Sequence, residues 1–157
     1  MAERNQIPIT RDGLAEVQRE VRELIEVRRP DVISKIKAAR EHGDLSENFE
    51  YHAARNEQSF LETRIQELEA IVRNHVLVEG SAANGEVGML STVTVQEEDS
   101  PEETYQVVPP AEADPTAGRI SYESAVGKAL IGHRQGEEVE VVAPTGARYS
   151  LQIVRVS

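Results

Sequence analysis

The segment Arg40-Glu-His-Gly-Asp-Leu-Ser-Glu-Asn-Phe-Glu-Tyr-His-Ala-Ala-Arg55 lies between two long runs of helical periodicity. Upstream, apolar residues recur at Leu14, Val17, Val21 and Leu24, with charges between them, which is the stripe of a coiled-coil helix. Arg28-Arg29-Pro30-Asp31 interrupts the stripe, and Pro30 is expected to kink the helix because it lacks a backbone donor. The pattern resumes at Val32 or Ile33, continues at Ile36 and closes at Ala39, with His42-Gly43 as the stop. Downstream, a second helix is predicted to start near Ser46 or Glu47, with the stripe Ala54, Leu61, Arg64/Ile65, Leu68 and Ile71/Val72. Two helices of about 28 residues, each roughly 40 Å long, joined by so short a turn, should lie antiparallel.

The period changes on either side of this pair. Ile7-Pro8-Ile9-Thr10 reads as an extended lead-in, with Thr10 as a candidate N-cap. Gly80-Ser-Ala-Ala-Asn-Gly85 reads as a linker. Beyond it, alternation predicts strands at 92–95, 105–108, 119–122, 139–142 and 149–156, a turn at Pro144-Thr-Gly146, and a short helix from Ser124 to Ile131, capped by Ser124 and ended by Gly132. The expected architecture is α+β: an antiparallel helical hairpin over residues 1–79, then a small α+β domain over 80–157.

Composition narrows the function classes. The 157 residues carry a formal net charge of -11, against a duplex-coating protein, which needs a cationic face. Residues 1–78 hold 12 Lys+Arg against 15 Asp+Glu, whereas residues 79–157 hold 5 against 13, so the second half carries most of the acidity. The absence of cysteine rules out disulfides, thiolate zinc sites and a thiol nucleophile, and fits a reducing cytoplasm. No apolar run approaches the roughly 20 residues of a membrane span. With no Trp, 2 Phe and 4 Tyr, no broad base-stacking platform is available.

Asp44 and Glu47 at the turn admit two readings. They can cap the second helix, where its macrodipole and orphan N–H groups favour carboxylates. They can instead be ligands for a divalent ion such as Mg²⁺, which wants oxygen donors. Two carboxylates are too few for a tight site, but they could complete one whose other oxygens come from a partner and a phosphate. Arg40 and Arg55, at similar heights on the two helices with Lys37 and His52 nearby, are either salt-bridge partners for Glu41 or Glu57 or a basic patch for a nucleic-acid backbone. His42, His52, His75 and His133 show no metal-ligand spacing, Ser124 and His133 lack a nucleophile elbow, and 97–103 reads as a solvated hairpin loop.

The run from Arg40 to Asn48, followed by Glu50-Tyr-His-Ala-Ala-Arg55, closely resembles the tip signature of bacterial Gre transcript-cleavage (transcription elongation) factors, of their GreA type. The likeness extends to Arg29-Pro30, Glu112-Ala-Asp114, Ile120-Ser121 and Ala129-Leu-Ile-Gly132. It implies a hairpin that enters the secondary channel of RNA polymerase. It also implies that Asp44 and Glu47 share a catalytic Mg²⁺ with the polymerase, and that Arg40 and Arg55 face the extruded RNA 3′ end. The C-terminal half is implied to be an FKBP-like domain docking at the channel rim through Ser121, Ser124, Ala125 and Gly127, without isomerase activity. The implied protein is a monomer that binds no cofactor alone and cleaves nothing itself. Ser124-Ala125 stands where the family commonly has Ser-Pro, and Pro109-Pro110 where a Gly is usual. The competing expectations are a Gre-like inhibitor that plugs the same channel, an FKBP-like prolyl isomerase or chaperone, and a self-associating coiled-coil scaffold.

Overall fold

The computed structural model describes residues 6–43, 46–80 and 85–157. The chain forms two compact units: Met1–Ile7 with Asp12–His75, and Pro8–Arg11 with Val76–Ser157. Part of the lead-in that the sequence grouped with the hairpin thus packs in the second unit. The linker expected at Gly80–Gly85 falls largely on 81–84, outside the described residues.

The first unit is a helical hairpin. Its first arm runs without a break through α1 (Arg11–Glu23), a π-helical turn (Leu24–Arg28) and α2 (Arg29–Arg40). The interruption expected at Pro30 is absorbed by that wide turn. Arg29 N–H donates to the Leu24 carbonyl five residues back, directly before the residue that has no N–H to give. The returning arm is α3 (Phe49–Asn74). Val32, Ile36, Ala54, Leu61 and Ile65 form the shared core, with Leu24, Ile25 and Tyr51 packed against it. Ion pairs flank this narrow seam: Glu20 with Arg64 at 3.0 Å, Arg29 with Glu62 at 2.9 Å, and Glu57 with both Arg28 and Lys35 at 3.5 Å. The partner positions fall along α3 as they rise along the first arm, the signature of an antiparallel pair.

The second unit is built on a five-stranded sheet in the order β5-β4-β3-β7-β6, from β3 (Thr92–Gln96), β4 (Glu103–Val108), β5 (Arg119–Ser121), β6 (Glu138–Val142) and β7 (Arg148–Val156). All pairings are antiparallel except β4 with β5. In β6 the buried Val139 and Val141 alternate with exposed Glu138 and Glu140, so one sheet face is apolar. The helix α4 (Ala125–Leu130) covers that face through Leu130, which is fully buried with Val93, Val107, Val141 and Ile153. A further two-stranded sheet pairs β1 (Ile7–Ile9) with β2 (His75–Leu77); the sequence reading had no strand at 75–77.

Pro109-Pro110 sets up the turn after β4. Pro109 is fully buried, and Pro110 begins a 3₁₀ turn, where a fixed φ and a missing N–H cost nothing. That turn presents Glu112, whose carboxylate accepts from the Thr10 N–H at 2.8 Å and from the Thr10 hydroxyl at 2.6 Å. Thr10, read from sequence as a helix cap, is thereby tied to a residue 102 positions away within the same unit.

Candidate functional site

The hairpin turn begins where α2 runs out of carbonyl partners. Glu41 and His42 N–H donate to Ala38 and Ala39 at 3.2 Å, a 3₁₀-type closure, and Gly43 then turns the chain at φ +112. Asp44 and Leu45 lie outside the described residues. The chain is described again from Ser46, and α3 begins only at Phe49.

The helix expected to start near Ser46 or Glu47 starts at Phe49, and its cap is Asn48. Asn48 has extended backbone angles, and its Oδ1 accepts from the Tyr51 N–H at 3.0 Å. The same side chain donates through Nδ2 to the Ala39 carbonyl at 2.6 Å, which joins the end of α2 to the start of α3. One carboxamide therefore does what the capping reading assigned to the acids. Glu47 is left just outside the helix, exposed, and in no ion pair among the described residues.

Arg40 and Arg55 are exposed, and neither takes part in an ion pair among the described residues. Glu57, the expected partner, is held instead by Arg28 and Lys35. The Arg40 guanidinium lies 5.9 Å from the centre of the Tyr51 ring, and the His52 ring meets Tyr51 edge-on at 5.5 Å. Phe49 is 88% exposed at the first position of α3, a feature the sequence reading passed over although the residue sits outside the apolar stripe. Around the turn, then, stand an acid, two cations and an uncovered aromatic ring.

The residues implied to dock on polymerase come together at the start of α4. Ser124 Oγ donates to the Ser121 carbonyl at 2.6 Å and accepts from the Gly127 N–H at 3.1 Å, capping the helix as expected. Ser121 Oγ accepts from the Glu123 N–H at 3.0 Å. Gly127 is buried, and a Cβ there would come 2.1 Å from the Ser121 carbonyl oxygen, so this helix can press on β5 only through glycine. Ala125 is half-buried and packs against the sheet core.

Among the described residues, no three His, Cys, Asp or Glu side chains gather as a metal cage. Nor is any helix long and apolar enough to cross a membrane. The chemically distinctive groups of the hairpin thus stand at its turn rather than in an enclosed cleft.

A charged helical hairpin with an exposed acidic turn, followed by a separate sheet unit, defines a two-part α+β protein class. Residues 7–76 match the family model for the transcription elongation factor N-terminal domain, and residues 82–157 match that for the GreA/GreB C-terminal domain. The chain is 51% identical over 152 residues to transcription elongation factor GreA of Rhodospirillum rubrum, covering 95% of this chain and 97% of that one. It is 44% identical over 157 residues to transcription elongation factor GreA of Staphylococcus carnosus, covering 99% and 98%. Among solved structures, the GreA factor homolog 1 (Gfh1) of Thermus thermophilus is similar at 27% identity and a TM-score of 0.44, covering 97% of this chain and 99% of that one. The chain belongs to the GreA/GreB family of transcription elongation factors.

Proposed function

We propose that this chain stimulates transcript cleavage by RNA polymerase, lending the carboxylates of its hairpin turn to a reaction centre it does not itself contain. The observation that carries the reading is Glu47. Asn48 takes over the cap, so Glu47 is exposed, outside the helix and without an internal cation among the described residues. A carboxylate placed so is available to a partner.

The donor chemistry at the turn fits a hard divalent ion. Asp44 and Glu47 would supply two of the oxygens Mg²⁺ requires, with polymerase carboxylates and the RNA phosphate supplying the rest. When bound, that ion would lower the pKa of an attacking water and stabilise the developing charge on phosphate oxygens. The hairpin supplies reach: an arm of 26 residues such as α3 spans about 39 Å at 1.5 Å per residue, enough to thread a channel. Arg40 and Arg55 sit where they can hold the phosphodiester backbone of an extruded RNA 3′ segment as point charges. The turn from Ser121 to Gly127 anchors the second unit at the channel rim. Cleavage leaves a new 3′ end in the active centre, and elongation resumes. The factor acts as a monomer in the bacterial cytoplasm, and the hydrolysis is the polymerase's own.

The test adds purified protein and Mg²⁺ to a backtracked elongation complex carrying labelled RNA. The wild-type chain is expected to release short 3′ fragments and restore elongation. Asp44→Asn and Glu47→Gln are expected to lose that stimulation while still competing with wild type for polymerase. Inhibition of elongation without fragments would identify a channel plug instead, and retained cleavage in the double variant would refute the role of the acids.

A further inference from the structure

The apolar face of the sheet is longer than the helix that covers it. With six residues α4 spans about 9 Å, whereas the nine residues of β7 run about 30 Å. Beyond the first turn of α4 a cleft of about 260 Å³ remains, lined by Val95, Val126, Leu151, Tyr105 and Tyr149 and closed on one side by the loop carrying Glu97 and Glu103. No cluster of aromatic residues is visible in the linear sequence of this half of the chain. The fold makes one by register: Tyr105 of β4 pairs with Val93 of β3, and Tyr149 of β7 pairs with Val141 of β6, so both rings share the covered face of one sheet.

The size and charge of the cleft narrow its occupant. At about 260 Å³ it is below the roughly 300–1,000 Å³ of sites that enclose a whole small molecule, and is on the scale of a side chain. Its rim is acidic on one side only. Glu97, Glu98, Asp99 and Glu102 crowd the β3–β4 loop and Glu103 opens β4 with its carboxylate on the Tyr105 hydroxyl, and among the described residues none of the five takes part in an ion pair. A wider open trough lined by Gln96, Glu138, Ser150 and Gln152 lies on the other, solvent-facing side of the sheet, because these residues alternate with Val95, Val139 and Leu151. The complementary ligand carries positive charge on a flat group that stacks on tyrosine and donates to carboxylate oxygens. Guanidinium meets all of these requirements, and ammonium does not stack.

We propose that the Tyr105–Tyr149 cleft is a docking site for an arginine side chain on a basic segment of a partner protein. It borders the Ser121–Gly127 turn through Val126, includes none of the residues of the hairpin turn, and needs no nucleic acid.

The test uses the full-length, isotope-labelled chain without polymerase, titrated with acetyl-Gly-Arg-Ala-Arg-Gly-amide at about 150 mM salt, where long-range attraction is screened. Saturable amide shifts are expected at Val95, Tyr105, Val126 and Tyr149. The same peptide with citrulline, a neutral isostere, is expected to give none. Tyr149→Leu is expected to weaken binding about three- to tenfold through the lost cation–π contact. Glu97→Gln, at an exposed loop position, is expected to weaken it about two- to fivefold, which keeps the test decisive if the tyrosine variant misfolds. Shifts spread over every acidic surface, equal response to the citrulline or a proline-rich peptide, or no saturable response would each overturn the assignment.

Discussion

The side-chain amide of Asn48 reaches back across the hairpin turn to the carbonyl of Ala39, 2.6 Å away. Its oxygen meanwhile accepts from Tyr51 at 3.0 Å, so one residue closes α2 and opens α3. A carbonyl partner on one side and an N–H on the other leave only one orientation of the amide that satisfies both. Asn48→Ala is expected to cost about 1–2 kcal/mol by the loss of a cap and a cross-turn bond. Asn48→Asp keeps the acceptor but not the donor. Amide exchange at Tyr51 is therefore expected to quicken in the alanine variant and stay slow in the aspartate variant. Both should weaken cleavage stimulation more than polymerase binding, because the turn loses its fixed geometry.

Gly127→Ala sets helix propensity against packing. Alanine gains about 1 kcal/mol over glycine inside a helix. The added Cβ would stand 2.1 Å from the Ser121 carbonyl oxygen, and that neighbour is backbone. Overpacking of this kind costs about 1–3 kcal/mol, so the variant is expected to melt below wild type despite its better propensity. Calorimetry of the full chain checks the sign.

Glu112 supports the second unit from a distance. Thr10 is 6% exposed and gives both its N–H and its hydroxyl to that carboxylate. Glu112→Ala strips two charge-assisted bonds from a buried residue and is expected to cost about 1–3 kcal/mol in urea unfolding. Glu112→Gln, which keeps an acceptor oxygen, should lose less.

The Tyr105 hydroxyl donates to the Glu103 carboxylate, and this bond, with burial adding to it, pushes the phenol up to about 12. A raised pKa means that the folded state holds the proton more tightly than the unfolded chain. The stabilisation is whole below about pH 10, the usual tyrosine value, and is lost as pH rises through about 12. In an alkaline absorbance titration a late phenolate component is expected, absent in Tyr105→Phe and moved down towards about 10 in Glu103→Gln.

Legibility from sequence followed locality. The arms of the hairpin could be read because Val17, Val32, Ile36, Ala54, Leu61, Ile65 and Leu68 recur at helical spacing and are the residues that become buried. The strands could be read from alternation, as at Val139 and Val141, and the cap at Ser124 from residue type alone. What escaped was set by distance along the chain. Nothing near Thr10 announces Glu112, and nothing near Tyr105 announces Tyr149. At the turn, the sequence offered Asp44 and Glu47 as caps, and the choice of Asn48 goes with its reach to Ala39, a three-dimensional fact. Pro30 signalled a disturbance correctly, but local spacing could not tell a break from a wide turn.

Outside that wide turn, the azimuth of the hairpin's end is a matter of residue count. An α-helix advances about 100° per residue, so excising one residue from Arg29–Arg40 would swing everything beyond it on that arm by about that angle while shortening it by only about 1.5 Å, whereas the wide turn at Leu24–Arg28 holds the one extra residue with little change of phase. Length changes elsewhere on the rod would likewise be felt first as rotation and only secondarily as loss of reach. If the turn carboxylates serve as proposed, the rod is thus constrained in phase before it is constrained in length.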